Sequence, residues 1–253
     1  MATPPPLPEL VRFCHPAKIL AGARLPGVLG EEAVAALYGT DVATCRALAE
    51  QMAAEARRAA ATLPAPPRGR ILALGDSLTD DLGSWAEILR HGGADIVNGG
   101  LSGDTTTGAR VRLARLLESR PERAIVLLGT NDARRHGRDG EPMLVSHDET
   151  RRNLRALDAA LRSRCEHVTW ITPPPVADPA LGEPDLIWHR RDVAAKADLV
   201  RELDPAAVDL WPGWTTDHLS PDGLHPSAAG QRFIAERVLI AAASTAASTT
   251  ARR

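Results

Sequence analysis

The chain has 253 residues, 44% of them hydrophobic and 25% charged, with a net charge of −2. That length suits one large domain, or one medium domain plus an appendage, with a real core, and the charge balance leaves no electrostatic footprint for nucleic acid. No apolar run approaches the roughly 20 residues needed to span a bilayer. The start MATPPPLPELVRFCHPAK lacks a basic-then-apolar leader. Cys14, Cys45 and Cys165 are too scattered, and odd in number, for a disulfide framework, so a cytoplasmic protein is expected.

Residues 1–63 read as a helical extension. Asp41 is a candidate N-cap. Behind it Val42, Cys45, Ala49, Met52, Ala56, Ala59 and Leu63 alternate spacings of three and four, which is one stripe on a helix. That stripe can pack on the body of its own chain. Being built mostly of small residues, it can also meet a second copy in a homodimer. Pro64, Pro66, Pro67 and Gly69 then break the helix, making a linker over 64–69.

From 70 to 241 short apolar runs alternate with helical patterns. The runs 70–74, 95–98, 124–128, 167–171 and 208–210 are candidate strands. Ser84-Trp85-Ala86-Glu87 and Ser146-His147-Asp148-Glu149 fit the capping box, so helices are expected to start just after Ser84 and Ser146. Further helices are expected over 186–203 and 227–241. Residues 242–253, dominated by Ser, Thr and Ala, read as a low-complexity tail. The alternation predicts an α/β fold with a central five-stranded parallel sheet covered on both faces.

Ligands in such sheets bind beyond the carboxyl ends of the strands. After the first strand comes Gly75-Asp76-Ser77-Leu78, and after the second Gly99-Gly100-Leu101-Ser102-Gly103-Asp104. After the third comes Gly129-Thr130-Asn131-Asp132, and past the fifth Asp222-Gly223-Leu224-His225-Pro226. A serine hydroxyl is a weak nucleophile until a base takes its proton, and His225 can be that base. A carboxylate on the other ring nitrogen would fix the tautomer, and Asp222 lies three residues earlier in a proline-bracketed loop. An oxyanion needs preorganised donors, which the N–H groups of Ser77 and Gly103 and the amide of Asn131 can supply. Each residue also has a plainer reading. Ser77 can be a loop residue, Gly103 can permit a turn, Asn131 can cap the next segment, and His225 can bond to backbone. Four in the right order, each beyond a strand or in the last loop, are hard to assign to chance.

These blocks resemble those of the SGNH (GDSL) hydrolase family, whose four signature residues fall on Ser77, Gly103, Asn131 and His225, with the Asp of its DxxH block at Asp222. The runs Ser102-Gly103-Asp104-Thr105-Thr106 and Gly129-Thr130-Asn131-Asp132 are similar to its bacterial lysophospholipase-like and thioesterase-like branch. The resemblance covers about residues 70 to 241. It implies a flavodoxin-like three-layer α/β/α fold and hydrolysis of a carboxylic ester or thioester, with no metal or cofactor. The same residues could serve an acyltransferase, and a binding or assembly module with a vestigial site is the rival from another class. An α/β-hydrolase elbow is disfavoured because Thr79 stands where its second glycine belongs. No P-loop, H-E-x-x-H or C-x-x-C pattern occurs.

Four further residues are candidates to border the substrate. His218 shares the loop of His225 but has Thr215, not an acid, three residues before it. Asp76 can orient the serine loop; Asp76, Asp80 and Asp81 together could also suggest a metal cluster, though capping or solvation explains them. Arg134 and Arg135, with His136 and Arg138, follow Asn131 closely and either form a solvated basic loop or hold an anionic part of the substrate. The segment Trp188-His189-Arg190-Arg191 could reach the same place.

Overall fold

The computed structural model describes residues 41–137, 141–180 and 186–250. Residues 1–40, with Cys14, lie outside the described residues, as do Arg138 and residues 251–253. Four parallel strands, β1 (Arg70–Gly75), β2 (Asp95–Gly100), β3 (Arg123–Leu127) and β5 (His167–Ile171), pair in the order β2-β1-β3-β5. In register, Ile71 faces Ile96 and Arg123, and Leu127 faces Ile171.

Successive side chains of a strand point to opposite faces, and here both faces are buried. Ile71, Ala73, Ile125 and Leu127 pack on one side with α3 (Trp85–His91) and the last helix, α7 (Ala228–Thr250). Leu72, Leu74 and Val126 pack on the other with α4 (Thr106–Leu117), α5 (His147–Arg162) and α6 (Arg190–Leu203). That is a three-layer α/β/α arrangement. The expected caps are in place: Ser84 Oγ accepts from Glu87 N, and Ser146 Oγ from Glu149 N.

The sheet has four strands, not the expected five. Residues 208–210 contribute only a parallel bridge between Val208 and Ile171. Beyond it the Leu210 N–H goes to the Thr172 hydroxyl at 3.0 Å, and Pro173, Pro174 and Pro175 offer no N–H to continue a ladder. The helix expected from 186 begins instead at Arg190. Leu186–Ile187 form a short strand, β6, antiparallel to β4 (Arg135–His136), anchored by buried Trp188, whose indole N–H donates to Thr130 O at 3.1 Å. Helix α7 runs to Thr250 rather than stopping near 241, as its repeated alanines favour.

Asp41 does cap α1 (Val42–Ala60), accepting from Thr44 N at 2.8 Å. The buried face of α1 is Cys45, Leu48, Met52 and Ala56, and it packs on α3 and α7. The centre of the stripe, Cys45, Met52 and Ala56, is therefore covered by its own chain and is not free for a homodimer contact. Among the described residues no helix is long and apolar enough to cross a membrane.

Candidate active site

β1 runs straight into a short helical turn, α2 (Ser77–Asp80). Asp76 caps it, its Oδ1 accepting from Leu78 N at 3.0 Å. Ser77 thus opens a helix, where an N–H has no intrahelical acceptor. The turn sits so close to β2 that a β-carbon on Gly100 would lie 2.3 Å from the Asp80 nitrogen, which only glycine avoids. Two amides hold the turn from either side. Asn98 Nδ2 donates to Thr79 O at 2.9 Å. Gln231, from α7, donates to Leu78 O at 3.1 Å and accepts from Trp85 N at 2.9 Å.

The loop carrying His225 is pinned to itself. Ser220 N donates to His225 O at 2.8 Å, and Asp222 Oδ1 accepts from Leu224 N and His225 N, both at 3.0 Å. Asp222 Oδ2 lies 2.6 Å from His225 Nδ1, and His225 Nε2 lies 3.0 Å from Ser77 Oγ. With Nδ1–H committed to the carboxylate, Nε2 is left as an acceptor for the serine proton. Burial alone would raise the Asp222 pKa. The hydrogen bond and charge of His225, with the two backbone N–H groups, outweigh that and hold it below the usual carboxylate range.

Gly103 has φ +77°, a left-handed conformation that suits glycine. Among the described residues the N–H groups of Ser77 and Gly103 have no protein acceptor. Asn131 is buried and spends one amide N–H on Asp104 O at 3.0 Å, which leaves its other N–H. Arg112, on α4, ties the loops together. It donates to Asp104 Oδ2 at 2.7 Å, after Gly103, and to Gly75 O at 2.9 Å, before Ser77. Asp132 does the same from the Asn131 side, accepting from Thr106 N at 2.8 Å and from the hydroxyls of Thr106 and Thr150 at 2.6 and 2.7 Å. Thr150 Oγ1 also receives the buried Lys196 ammonium at 3.0 Å.

The profile of the GDSL-like Lipase/Acylhydrolase family matches residues 73–233, more than half of the chain and every loop just described. The chain belongs to this family. Membership makes it an ester-hydrolysing enzyme. It is 29% identical over 203 residues to the isoamyl acetate-hydrolyzing esterase 1 homolog of Mus musculus, covering 65% of this chain and 78% of that one. Among solved structures it resembles the lipase/acylhydrolase from Enterococcus faecalis, with a TM-score of 0.54, 25% identity and coverage of 68% of this chain and 93% of that one. An acetylxylan esterase from Geobacillus stearothermophilus shares the fold at TM-score 0.54 and 20% identity, with 68% and 93% coverage.

The other candidates of the acylhydrolase separate. Arg135 is engaged elsewhere, its Nε 2.8 Å from Asp192 Oδ2. His218 accepts from Thr215 N at 2.9 Å and packs at a tilt against Trp214 and Phe233, with ring centres 5.2 and 4.7 Å away and no bond to Ser77 or His225. Arg134 is half-buried beside Gly103. His189 bonds Asp178 at 3.1 Å. Asp80 Oδ2 accepts from Ser102 N and Asp81 Oδ1 from Gly83 N, both local anchoring roles. Among the described residues no group of three or more His, Cys, Asp or Glu is placed to hold a metal ion.

Asp76 is fully buried, so it supports the serine turn and does not border substrate. Its Oδ2 has no hydrogen-bond partner. Burial pushes its pKa up to about 7, with the negative charges of Asp104 and Asp132 adding to the rise. The folded protein thus binds more protons than the unfolded chain between pH 3.8 and about 7, and stability falls as pH rises through that window. Asp76→Asn keeps an oxygen for Leu78 N and removes the buried charge. Its Tm relative to wild type should therefore climb by several degrees from pH 5 to pH 8. A pH-independent difference in thermal melts would contradict the burial argument.

Proposed function

We propose that the enzyme is a serine esterase in which Ser77 is the nucleophile, His225 the general base and acid, and Asp222 the residue that orients His225. The observation that carries the reading is the unbroken hydrogen-bond chain from Asp222 Oδ2 through His225 to Ser77 Oγ. Ser77 Oγ attacks the acyl carbonyl carbon while Nε2 takes its proton. The Asp222 carboxylate, ionised at neutral pH, stabilises the imidazolium that forms. The negative oxygen of the tetrahedral intermediate accepts hydrogen bonds from Ser77 N–H, Gly103 N–H and the free N–H of the Asn131 amide. On collapse the C–O bond to the alcohol breaks and His225 returns the proton to the leaving oxygen. Water then repeats the sequence on the acyl-enzyme and frees the acid.

The mouse relative is named for isoamyl acetate and the Geobacillus fold neighbour for acetylxylan, so a small acyl group such as acetyl is the favoured substrate half. A cytoplasmic setting belongs to the same proposal, supported by Cys165 as a buried free thiol. The test is covalent labelling with a fluorophosphonate, followed by a series of para-nitrophenyl esters of increasing acyl length. Wild type should label and Ser77→Ala should not, with kcat/KM highest for the shortest acyl chains. Folded wild type that takes no label would sink the serine esterase reading. A rate that grows with acyl length would sink the small-acyl part alone.

A further inference from the structure

Arg134 follows the turn that carries Asn131. Among the described residues beyond its chain neighbours, a β-carbon built on Gly103 would find one atom within 4 Å, Arg134 Nη1 at 4.0 Å. The guanidinium therefore borders the loop that offers the Gly103 N–H. Arg112, Arg135 and Arg201 are all paired with carboxylates. Arg134 differs: its Nε is buried without a hydrogen-bond partner, and its side chain makes no ion pair among the described residues. Burial lowers its pKa, with no carboxylate offsetting the effect. The side chain is held in place nonetheless. Its guanidinium carbon lies 5.9 Å from the ring centre of buried Trp188, which Thr130 O fixes through the indole N–H.

A half-buried cation whose buried Nε has no partner is less favourable in the free protein than one paired with an anion. The fold tolerates it, and a ligand anion would relieve it through hydrogen bonds to a fork that is already oriented. We infer that Arg134 is a specificity residue, and that the preferred substrates are esters with a carboxylate or phosphate close to the scissile carbonyl. This rests on the serine esterase reading, and it adds to that reading the charge of the substrate. Arg135 plays no part, being committed to Asp192. If Arg134 served the oxyanion itself it would speed every ester alike, so charge discrimination is the decisive measurement.

Two matched pairs separate the side of the bond that bears the charge. Para-nitrophenyl hemisuccinate against para-nitrophenyl isocaproate places it on the acyl half. Meta-acetoxybenzoate against phenyl acetate places it on the alcohol half. In one pair wild type should prefer the anionic ester about 10- to 100-fold in kcat/KM, as a charge-assisted hydrogen bond allows. Arg134→Gln should abolish that preference mainly through KM, and Arg134→Lys should restore part of it. Equal turnover of charged and neutral partners in both pairs, or an equal loss for both in Arg134→Gln, overturns the assignment and leaves the esterase reading standing. Titration of the same esters into Ser77→Ala, followed by nuclear magnetic resonance, reads the preference without turnover. Tighter binding of the anion there, lost in Ser77→Ala/Arg134→Gln, supports the anion site even if wild type hydrolyses neither ester, in which case the esterase reading fails alone.

Discussion

Ser77→Ala and His225→Ala are each expected to lower kcat by about a million-fold, and the double variant to be no slower than the slower single. The reason lies in the 3.0 Å contact between His225 Nε2 and Ser77 Oγ. Before the acyl-enzyme forms, the imidazole takes the serine proton and returns that same proton to the leaving alcohol, so both of its tasks begin at the serine hydroxyl. Without the hydroxyl there is no proton to take, and without the base the hydroxyl is not activated. Removing the second member therefore costs nothing further. Asp222→Ala should be milder, at roughly ten-thousand-fold, because His225 can still accept a proton although its tautomer is no longer fixed. The residual rate belongs to the oxyanion donors, which none of these changes touches. Steady-state kcat on a short-chain para-nitrophenyl ester measures all four proteins. If the two large losses multiply in the double variant, Ser77 and His225 do not act as a unit and the proposed roles fail.

What could be read from the sequence was local. The helix starts at Ser84 and Ser146 follow from a hydroxyl and a glutamate three residues apart. Asp222 and His225 are legible for the same reason, since the four residues between Pro221 and Pro226 can close on themselves. The strand ends were legible because strands buried on both faces read as continuous apolar runs. What was hidden depends on distant partners. A run at 208–210 looks like a fifth strand until Pro173 to Pro175 deny it a ladder. Arg134 and Arg135 are neighbours of one type, and only the position of Asp192 separates the paired one from the other. The braces around the nucleophile, Arg112 to Gly75 O and Gln231 to Leu78 O, join residues 37 and 153 positions apart, and no short-range signal marks them.

Asp132→Ala should destabilise the protein by about 3–5 kcal/mol, lowering Tm by roughly 10 °C for a domain of this size, and should also slow catalysis. Asp132 and Lys196 are both fully buried, and they communicate through the Thr150 hydroxyl. Asp132 also takes the backbone N–H and hydroxyl of Thr106, the first residue of α4, just beyond the Gly103 loop. Losing its carboxylate strips the N–H and hydroxyl of Thr106 of their acceptor, leaves Asp192 alone to offset the buried Lys196 charge, and loosens the Gly103 loop from the Asn131 loop. Lys196→Met makes the opposite error, stranding the Asp132 charge and the Val145 carbonyl that Lys196 Nζ reaches at 2.8 Å. The double variant should cost less than the two singles added, because no lone buried charge remains. Strict additivity in denaturant melts would show that the Thr150 relay couples nothing. The pH dependence gives a second check. Burial lowers the Lys196 pKa from 10.5 to about 8, against the pull of Asp132 and Asp192. The unfolded chain therefore holds the extra proton between those values, and wild-type stability gains from this group as pH rises through that window. Lys196→Met lacks the gain, so its deficit relative to wild type should widen from pH 8 to pH 10.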